Sequence, residues 1–313
     1  MVKTLREMTE QPEGLSSGHS LCAGCAESII VRQVLQAVGQ PVVVACAAGC
    51  LELATSRFPP TAWNVPWIHS AFENAASTIS GVEAAYRALV RKGRMPEKNI
   101  KFVAFGGDGA TYDIGLQWLS GALERGHRFI YICLNNEGYM NTGIQRSGAT
   151  IQGTWTTTTP AGKVVPGKPE WRKDLTAIIA AHHIPYVAQA AAHAWKDLET
   201  KVEKAAAVDG PAFINVLSPC TRGWRYDPSK TMEISKLAVE TRLWPLFEVE
   251  NGVWRLTYKS TAPKPVTDWL KSQDRFAHLL RPENAHVVQS IQRNVDREWA
   301  WLQRQCSLAV ATA

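Results

Sequence analysis

Apolar positions along this chain fall into two patterns: short solid runs, and longer stretches where they recur every three or four residues. Glu27 to Val38 carries Ile29, Ile30, Val34, Leu35 and Val38 on one face and predicts an amphipathic helix. Val42 to Ala45 predicts a short strand, Phe72 to Leu89 an Ala-rich helix, Lys101 to Phe105 a strand and Ile114 to Glu124 a helix. Phe129 to Leu134 is apolar or aromatic apart from Cys133, as expected of a strand covered on both faces. Leu175 to Ala181, Tyr186 to Gln189, Lys196 to Ala207 and Ala212 to Leu217 repeat the alternation. The expected class is α/β, a doubly wound, mostly parallel sheet.

Beyond about Tyr226 the pattern changes. Met232 to Arg242 reads as a helix, and Leu243 to Tyr258 is Trp-rich and short-stranded. A hinge follows at Pro263 and Pro265. A last helix from Asn284 to Gln305 carries a stripe of Val288, Ile291, Val295, Trp299 and Leu302, a packing face. This divides the chain into an α/β domain, residues 1–225, and a C-terminal extension, 226–313, packing on the core or on partner subunits.

Composition adds exclusions. With 313 residues, 45% hydrophobic and 20% charged, the chain has ample core. A net charge of +6 with no run of five basic residues argues against nucleic-acid binding. It leaves room for a basic surface that attracts an acidic protein such as a small electron carrier. No stretch reads as a signal peptide or a membrane span, so a cytoplasmic location is expected. Seven cysteines in a reducing compartment favour metal ligation or buried thiols over disulfides. Twelve tryptophans suggest extensive buried contacts, some between subunits.

The segment Phe105-Gly-Gly-Asp-Gly109 follows an apolar strand and precedes a helix, which puts Asp108 at the carboxyl end of a parallel strand, where such sheets bind ligands. Gly107 and Gly109 flank it and allow close approach of a phosphate. The next strand delivers Asn135-Asn136-Glu137-Gly138 beside it. Asp108, the Asn136 side chain and the Gly138 carbonyl would offer three oxygens to Mg²⁺, with a diphosphate and water completing the shell. Gly-Asp-Gly followed at this distance by Asn-Asn looks like the diphosphate motif of thiamine diphosphate enzymes, whose cofactor takes up the electron pair when a 2-oxo acid loses carbon dioxide.

Cys22 and Cys25 form a Cys-x-x-Cys pair at a helix start, Cys50 lies just after the first strand, and Cys220 follows the last core strand. All three segments are expected on one edge of the sheet, where four thiolates would hold a [4Fe–4S] cluster. A structural zinc site and a redox Cys pair are the alternatives, although a second Cys-x-x-Cys is absent. Cys46, Cys133 and Cys306 read as packed thiols, with Cys46 the one competitor as a ligand.

With both features read, the chain resembles the β subunit of pyruvate:ferredoxin oxidoreductase and its relatives, the 2-oxoacid:ferredoxin oxidoreductases. The resemblance rests on Gly18 to Cys25, Val65 to Asn74, Phe105 to Gln145, Thr156 to Lys168, Leu237 to Thr241 and Trp244 to Phe247, and covers nearly the whole chain. It implies thiamine diphosphate, Mg²⁺ and a [4Fe–4S] cluster, with Cys22, Cys25, Cys50 and Cys220 as cluster ligands and Asp108, Asn136 and Gly138 at the cation. Asn141 would reach the thiazolium and the substrate as the catalytic residue, and Glu27 and Gly49 would touch the cofactor. His69 reads either as an acid or base or as a satisfied histidine at a helix start. The run Ala149 to Trp155 departs from the Thr-Pro-aromatic run of a pyruvate enzyme, which leaves oxalate as an alternative to pyruvate.

The chain carries neither a second thiamine half nor a Cys-x-x-Cys-x-x-Cys run. The resemblance therefore implies an α subunit completing the cofactor site, ferredoxin-like δ and γ components, external ferredoxin as acceptor, and coenzyme A if the substrate is pyruvate. Two rival readings stand beside it. A non-redox thiamine-dependent decarboxylase or synthase would need no cysteines, and a non-catalytic metal-binding subunit would need neither Asp108 nor Asn136.

Overall fold

The computed structural model describes residues 4–39, 41–57, 61–259 and 262–311. Its strands are β1 Val42–Ala47, β2 Trp67–Ser70, β3 Lys101–Gly107, β4 Ile130–Asn135, β5 Tyr186–Ala191, β6 Ala212–Leu217, β7 Phe247–Glu250 and β8 Val253–Leu256. They form one sheet in the order β2-β1-β3-β4-β6-β5-β7-β8. The first six are parallel, and β7 and β8 add antiparallel at the β5 edge. A polypeptide can run parallel strands side by side only through crossovers, and helices supply them here. In chain order the helices are α1 Leu5–Thr9, α2 Ala26–Val38, α3 Cys50–Thr55, α4 Ala75–Arg91, α5 Leu116–Glu124, α6 Leu175–Ala180 and α7 Trp195–Ala207, the last five lying between successive parallel strands. Then follow α8 Thr221–Trp224, α9 Thr231–Glu240, α10 Val266–Lys271 and α11 Ala285–Ala311.

Each central strand is apolar on both faces because each face has its own cover. In β4, Ile130, Ile132 and Leu134 join the core under α2 and α7, while Tyr131 and Cys133 join the core under α4 and α5. A third core belongs largely to the extension and is built on Trp224, Trp244, Trp269, Phe276, Ile291 and Val295. The strands and the last helix that the pattern predicts are present, β6 with the predicted ends and the others with shifted ones. β1 runs on to Ala47 and the final helix to Ala311.

Several features depart from the pattern. β2 is absent from the periodicity because its four edge residues do not alternate and include polar His69 and Ser70; it pairs with β1 from Val44↔Trp67 to Ala47↔Ser70. This corrects the placement of His69, which sits on an edge strand and not at a helix start; the helix begins later, at Ala75. The helix predicted over Ile114 to Glu124 is preceded by a wide π-type turn over Gly109–Ile114. Gly115 N–H bonds the Ala110 carbonyl five residues back at 2.8 Å, and a Cβ on Gly115 would stand 2.2 Å from that same oxygen. Pro265 is the extended N-cap residue before α10.

Candidate active site

The carboxyl ends of β1, β3, β4 and β6 lie side by side, and every candidate residue save Cys22, Cys25, Glu27 and His69 ends or follows one of them. The first three of these approach from the start of α2, which packs along α7. A cavity opens at this edge, and its walls include Glu27, Gly49, Cys50, Gly107, Asn136 and Asn141.

Asp108 is fully buried at the end of β3. Its Oδ1 accepts the Asn136 N–H at 3.1 Å, and its Oδ2 accepts the Ser147 hydroxyl. Burial pushes its carboxyl up to about 8, against the pull of those two hydrogen bonds. A carboxyl buried this way stays neutral unless a cation or further donors compensate its charge. Asn136 donates through Nδ2 to Glu27 Oε1 at 3.1 Å. The other oxygens of the pair, Asn136 Oδ1 and Glu27 Oε2, are buried with no hydrogen-bond partner in the protein. Burial also pushes Glu27 up, to about 7.

Buried polar atoms are almost always satisfied. Two orphans on adjacent side chains beside a desolvated carboxylate are what a missing cation and its oxygen ligands would leave behind. The glycines separate into two roles. A Cβ on Gly107 would meet nothing within 4 Å, so that position faces open space. A Cβ on Gly109 would stand 2.4 Å from the Tyr139 ring, whose hydroxyl donates to the Gly109 carbonyl at 2.9 Å. Gly109 also lines the cavity, and the space its side chain would need is taken by that tyrosine. Gly138 lies on the cavity wall, and Asn141 is exposed at its mouth.

Cys25 caps α2, Cys50 opens α3, and Cys220 caps α8, where its Sγ accepts the Gly223 N–H at 3.3 Å. Cys22 is exposed; the other three are partly covered. Burial and the nearby Glu27 carboxylate push Cys25 and Cys50 far above the ordinary thiol range, and burial pushes Cys220 up to about 11. Charge on any of Cys22, Cys25 or Cys220 opposes ionisation of Cys50, so the four thiols form one electrostatic group. Cys46 does not share in it. It is buried in β1, is acted on by Glu27 and Glu52, and its nearest polar partner is the Ala47 carbonyl at 3.5 Å. Among the described residues no three His, Cys, Asp or Glu side chains converge on a point where they would hold one metal ion.

The Cys22–Cys25 loop is fixed from the far end of the chain. Gly24 has φ +71°, and a Cβ there would stand 2.5 Å from the Pro228 carbonyl. Thr231 Oγ1 donates to the Gly24 carbonyl at 2.6 Å. His69 pairs with Glu52 at 3.0 Å and is half exposed. The divergent run at residues 149–155 contributes no wall to the cavity. Thr150 instead buttresses the loop from behind, donating to the Glu137 carbonyl at 2.7 Å.

Sequence reasoning passed over Ser147, Glu137, Trp224 and Arg275. Ser147 lies 39 residues from the carboxylate it serves, and no local spacing signals that pairing. A Met140 side chain that would overlap a Cβ on Gly223, with Cys220 Sγ 3.6 Å from the same point, was equally invisible. Among the described residues no helix is long and apolar enough to cross a membrane.

Residues 47–216 match the family "Thiamine pyrophosphate enzyme, C-terminal TPP binding domain". The chain is 53% identical to the pyruvate synthase subunit PorB of Thermotoga maritima, over 95% of this chain and 94% of the relative. It is 50% identical to the PorB subunit of Methanocaldococcus jannaschii, over 91% and 95%. It is 42% identical to the ketoisovalerate oxidoreductase subunit VorB of Pyrococcus abyssi, over 93% of each. The solved 2-oxoglutarate:ferredoxin oxidoreductase of Magnetococcus marinus superposes with a TM-score of 0.55 at 21% identity, covering 75% of this chain and 84% of that one, a likeness of fold. The chain belongs to the β subunits of the thiamine diphosphate-dependent 2-oxoacid:ferredoxin oxidoreductases, the family of the pyruvate synthase PorB subunits.

Proposed function

We propose that this chain oxidatively decarboxylates pyruvate as the β subunit of a cytoplasmic heteromeric complex, and passes the electrons through a [4Fe–4S] cluster to ferredoxin. Asp108, Asn136 and the Gly138 carbonyl hold Mg²⁺ and, through it, the diphosphate. Gly107 gives the cofactor backbone access, and Glu27 and Gly49 line its place. Cys22, Cys25, Cys50 and Cys220 hold the cluster. When bound, thiamine diphosphate supplies the nucleophilic carbon and the electron sink for decarboxylation. Asn141, at the mouth of the cavity, is suited to orient the substrate's carboxylate or carbonyl by hydrogen bonding. The first 225 residues carry the ligands of both groups, and the extension braces them.

The observation that carries this reading is the pair of orphaned oxygens, Asn136 Oδ1 and Glu27 Oε2, between the buried Asp108 carboxylate and the thiol quartet. A cluster spreads over several atoms, so its four ligands need not meet at one point. Burial and the Glu27 charge work against bare thiolates at Cys25 and Cys50, and bound iron would reverse that balance. Pyruvate is favoured over oxalate because relatives about half identical over more than nine-tenths of both chains are named pyruvate synthase subunits. The divergent run at residues 149–155 stays behind the loop and supplies no reason to choose oxalate. An α subunit would complete the thiamine site, δ and γ components would carry electrons, and coenzyme A would accept the acyl group.

The test is the purified complex. Dithionite-bleachable visible absorption, bound thiamine diphosphate, and ferredoxin reduction dependent on pyruvate and coenzyme A are expected. Turnover of 2-oxoglutarate, a branched 2-oxo acid or oxalate in preference to pyruvate would replace the substrate. A complex without iron would remove the cluster.

A further inference from the structure

We infer that Arg275, from the C-terminal extension, is a positioning residue for the cation and diphosphate site, acting through Glu137 and Trp224. The inference rests on the assignment of Asp108, Asn136 and Gly138 proposed above.

Glu137 stands between two of those residues with φ +62°, a left-handed conformation that an ordinary side chain adopts only when something holds it there. Its side chain is 0% exposed and meets Arg275, 1% exposed, with Nη2 donating to Oε2 at 2.7 Å. Two charges taken wholly out of water persist only in good geometry with further hydrogen bonds. Arg275 has both. Its Nε donates to Gln273 Oε1 at 2.8 Å, and its guanidinium lies over the Trp224 ring at 4.0 Å and near Phe276 at 4.7 Å.

Trp224 is the second arm of the clamp. Its indole N–H donates to the Asn136 carbonyl at 2.7 Å. One guanidinium thereby fixes the side chain of the residue between Asn136 and Gly138 and also the ring that holds the backbone of Asn136. Trp224 closes α8, which begins directly after Cys220, so the same contact ties the diphosphate loop to the arm that carries that thiol. The rest of the loop is pinned independently. Glu137 N–H bonds Asn135 Oδ1 at 3.0 Å, and the Glu137 carbonyl accepts from Thr150. Loss of Arg275 therefore leaves the Glu137 backbone held by those two bonds and strands its buried carboxylate, with Arg172 Nη1 3.9 Å from Oε1.

Groups that orient metal ligands from one step away typically cost about 10–100-fold in affinity when changed. The experiment is a calorimetric titration of Mg²⁺–thiamine diphosphate into the assembled complex stripped of both, with iron content and Tm measured in parallel. Arg275→Met is expected to bind at least about tenfold more weakly with iron content unchanged, and Arg275→Lys to recover part of the loss. A lower Tm with wild-type affinity would mean a purely structural ion pair and overturn the inference. If Arg275→Met does not assemble, Trp224→Phe decides. It keeps a ring near Arg275 and removes the N–H to Asn136 together with part of a buried indole, so Tm is measured beside it; several-fold weaker binding in the folded variant supports the clamp and wild-type affinity ends it. Asp108→Ala separates the two levels of argument. Wild-type binding by that variant would remove the underlying site assignment. Lost binding in Asp108→Ala with full binding in Arg275→Met would remove the clamp alone.

Discussion

Asn136 Nδ2 donates to Glu27 Oε1 at 3.1 Å across 109 residues of sequence. The bond joins the loop after β4 to the first turn of α2, two residues past Cys25, and fixes which way the Asn136 amide points. With Nδ2 committed to Glu27, Oδ1 is left to face a ligand. The two cofactor sites proposed here therefore share a hydrogen bond.

Glu27→Ala should weaken Mg²⁺–thiamine diphosphate binding by about 1–2 kcal/mol, roughly tenfold, because it strands a buried donor and lets the amide turn. Glu27→Gln retains an acceptor for Asn136 and should bind nearly as the parent does. Calorimetry on the two variants separates orientation from charge. Equal affinity for both would mean that Glu27 does not set the amide.

Gly107 and Gly109 make opposite predictions although one residue separates them. Gly109→Ala drives a methyl into the Tyr139 ring and should cost about 1–3 kcal/mol of stability. Much of that loss should be recovered in the double variant with Tyr139→Ala. Gly107→Ala meets no protein atom within 4 Å and should leave Tm unchanged. Its methyl intrudes on the cavity, so thiamine diphosphate binding should fall. Thermal melts with and without cofactor read both outcomes.

The cysteines divide similarly. Cys220→Ser should lower iron content or convert the cluster. Cys46→Ser buries a hydroxyl in a β1 environment that is 1% exposed and should lose about 1–2 kcal/mol of stability with iron unchanged. Iron and sulfide analysis beside a denaturation curve distinguishes them. Iron loss in Cys46→Ser alone would exchange the two assignments.

Much of the site was legible because a parallel sheet turns sequence order into position. Solid apolar runs ending at Leu134 and Leu217 announce buried strands, and whatever follows them must appear at the carboxyl edge, as Asn136 and Cys220 do. The pattern carries no sign of β2, since its four edge residues run half-buried, exposed, exposed, buried and do not alternate, so His69 reads as a histidine at a helix start. Nor did it reveal the π-type turn after Asp108, which depends on how closely Gly115 can approach the Ala110 carbonyl. The contacts that brace the site were least visible. Ser147 to Asp108, Arg275 to Glu137 and Pro228 to Gly24 are made between segments distant in sequence, and neither periodicity nor motif spacing encodes such meetings.

Acid stability should report on a group remote from the cofactors. His193 follows β5, its Nδ1 lies 3.0 Å from Ser235 Oγ, and burial, with Lys236 nearby, pushes it down to about 4 from an ordinary 6.5. A histidine held neutral by the fold is protonated more readily in the unfolded chain, so the unfolded state takes up protons first as pH falls. Its contribution is therefore fully present above about pH 6.5 and is lost progressively as pH falls through about 4. The gap of about 2.5 between those values corresponds to at most roughly 3 kcal/mol, at ~1.36 kcal/mol for each pH unit. His193→Gln can still bond Ser235 but does not titrate. Between pH 6.5 and 4 its Tm should fall less steeply than that of the parent, and the two should run parallel above pH 7. Identical acid limbs would show that His193 takes up its proton in the folded protein as easily as in the unfolded chain.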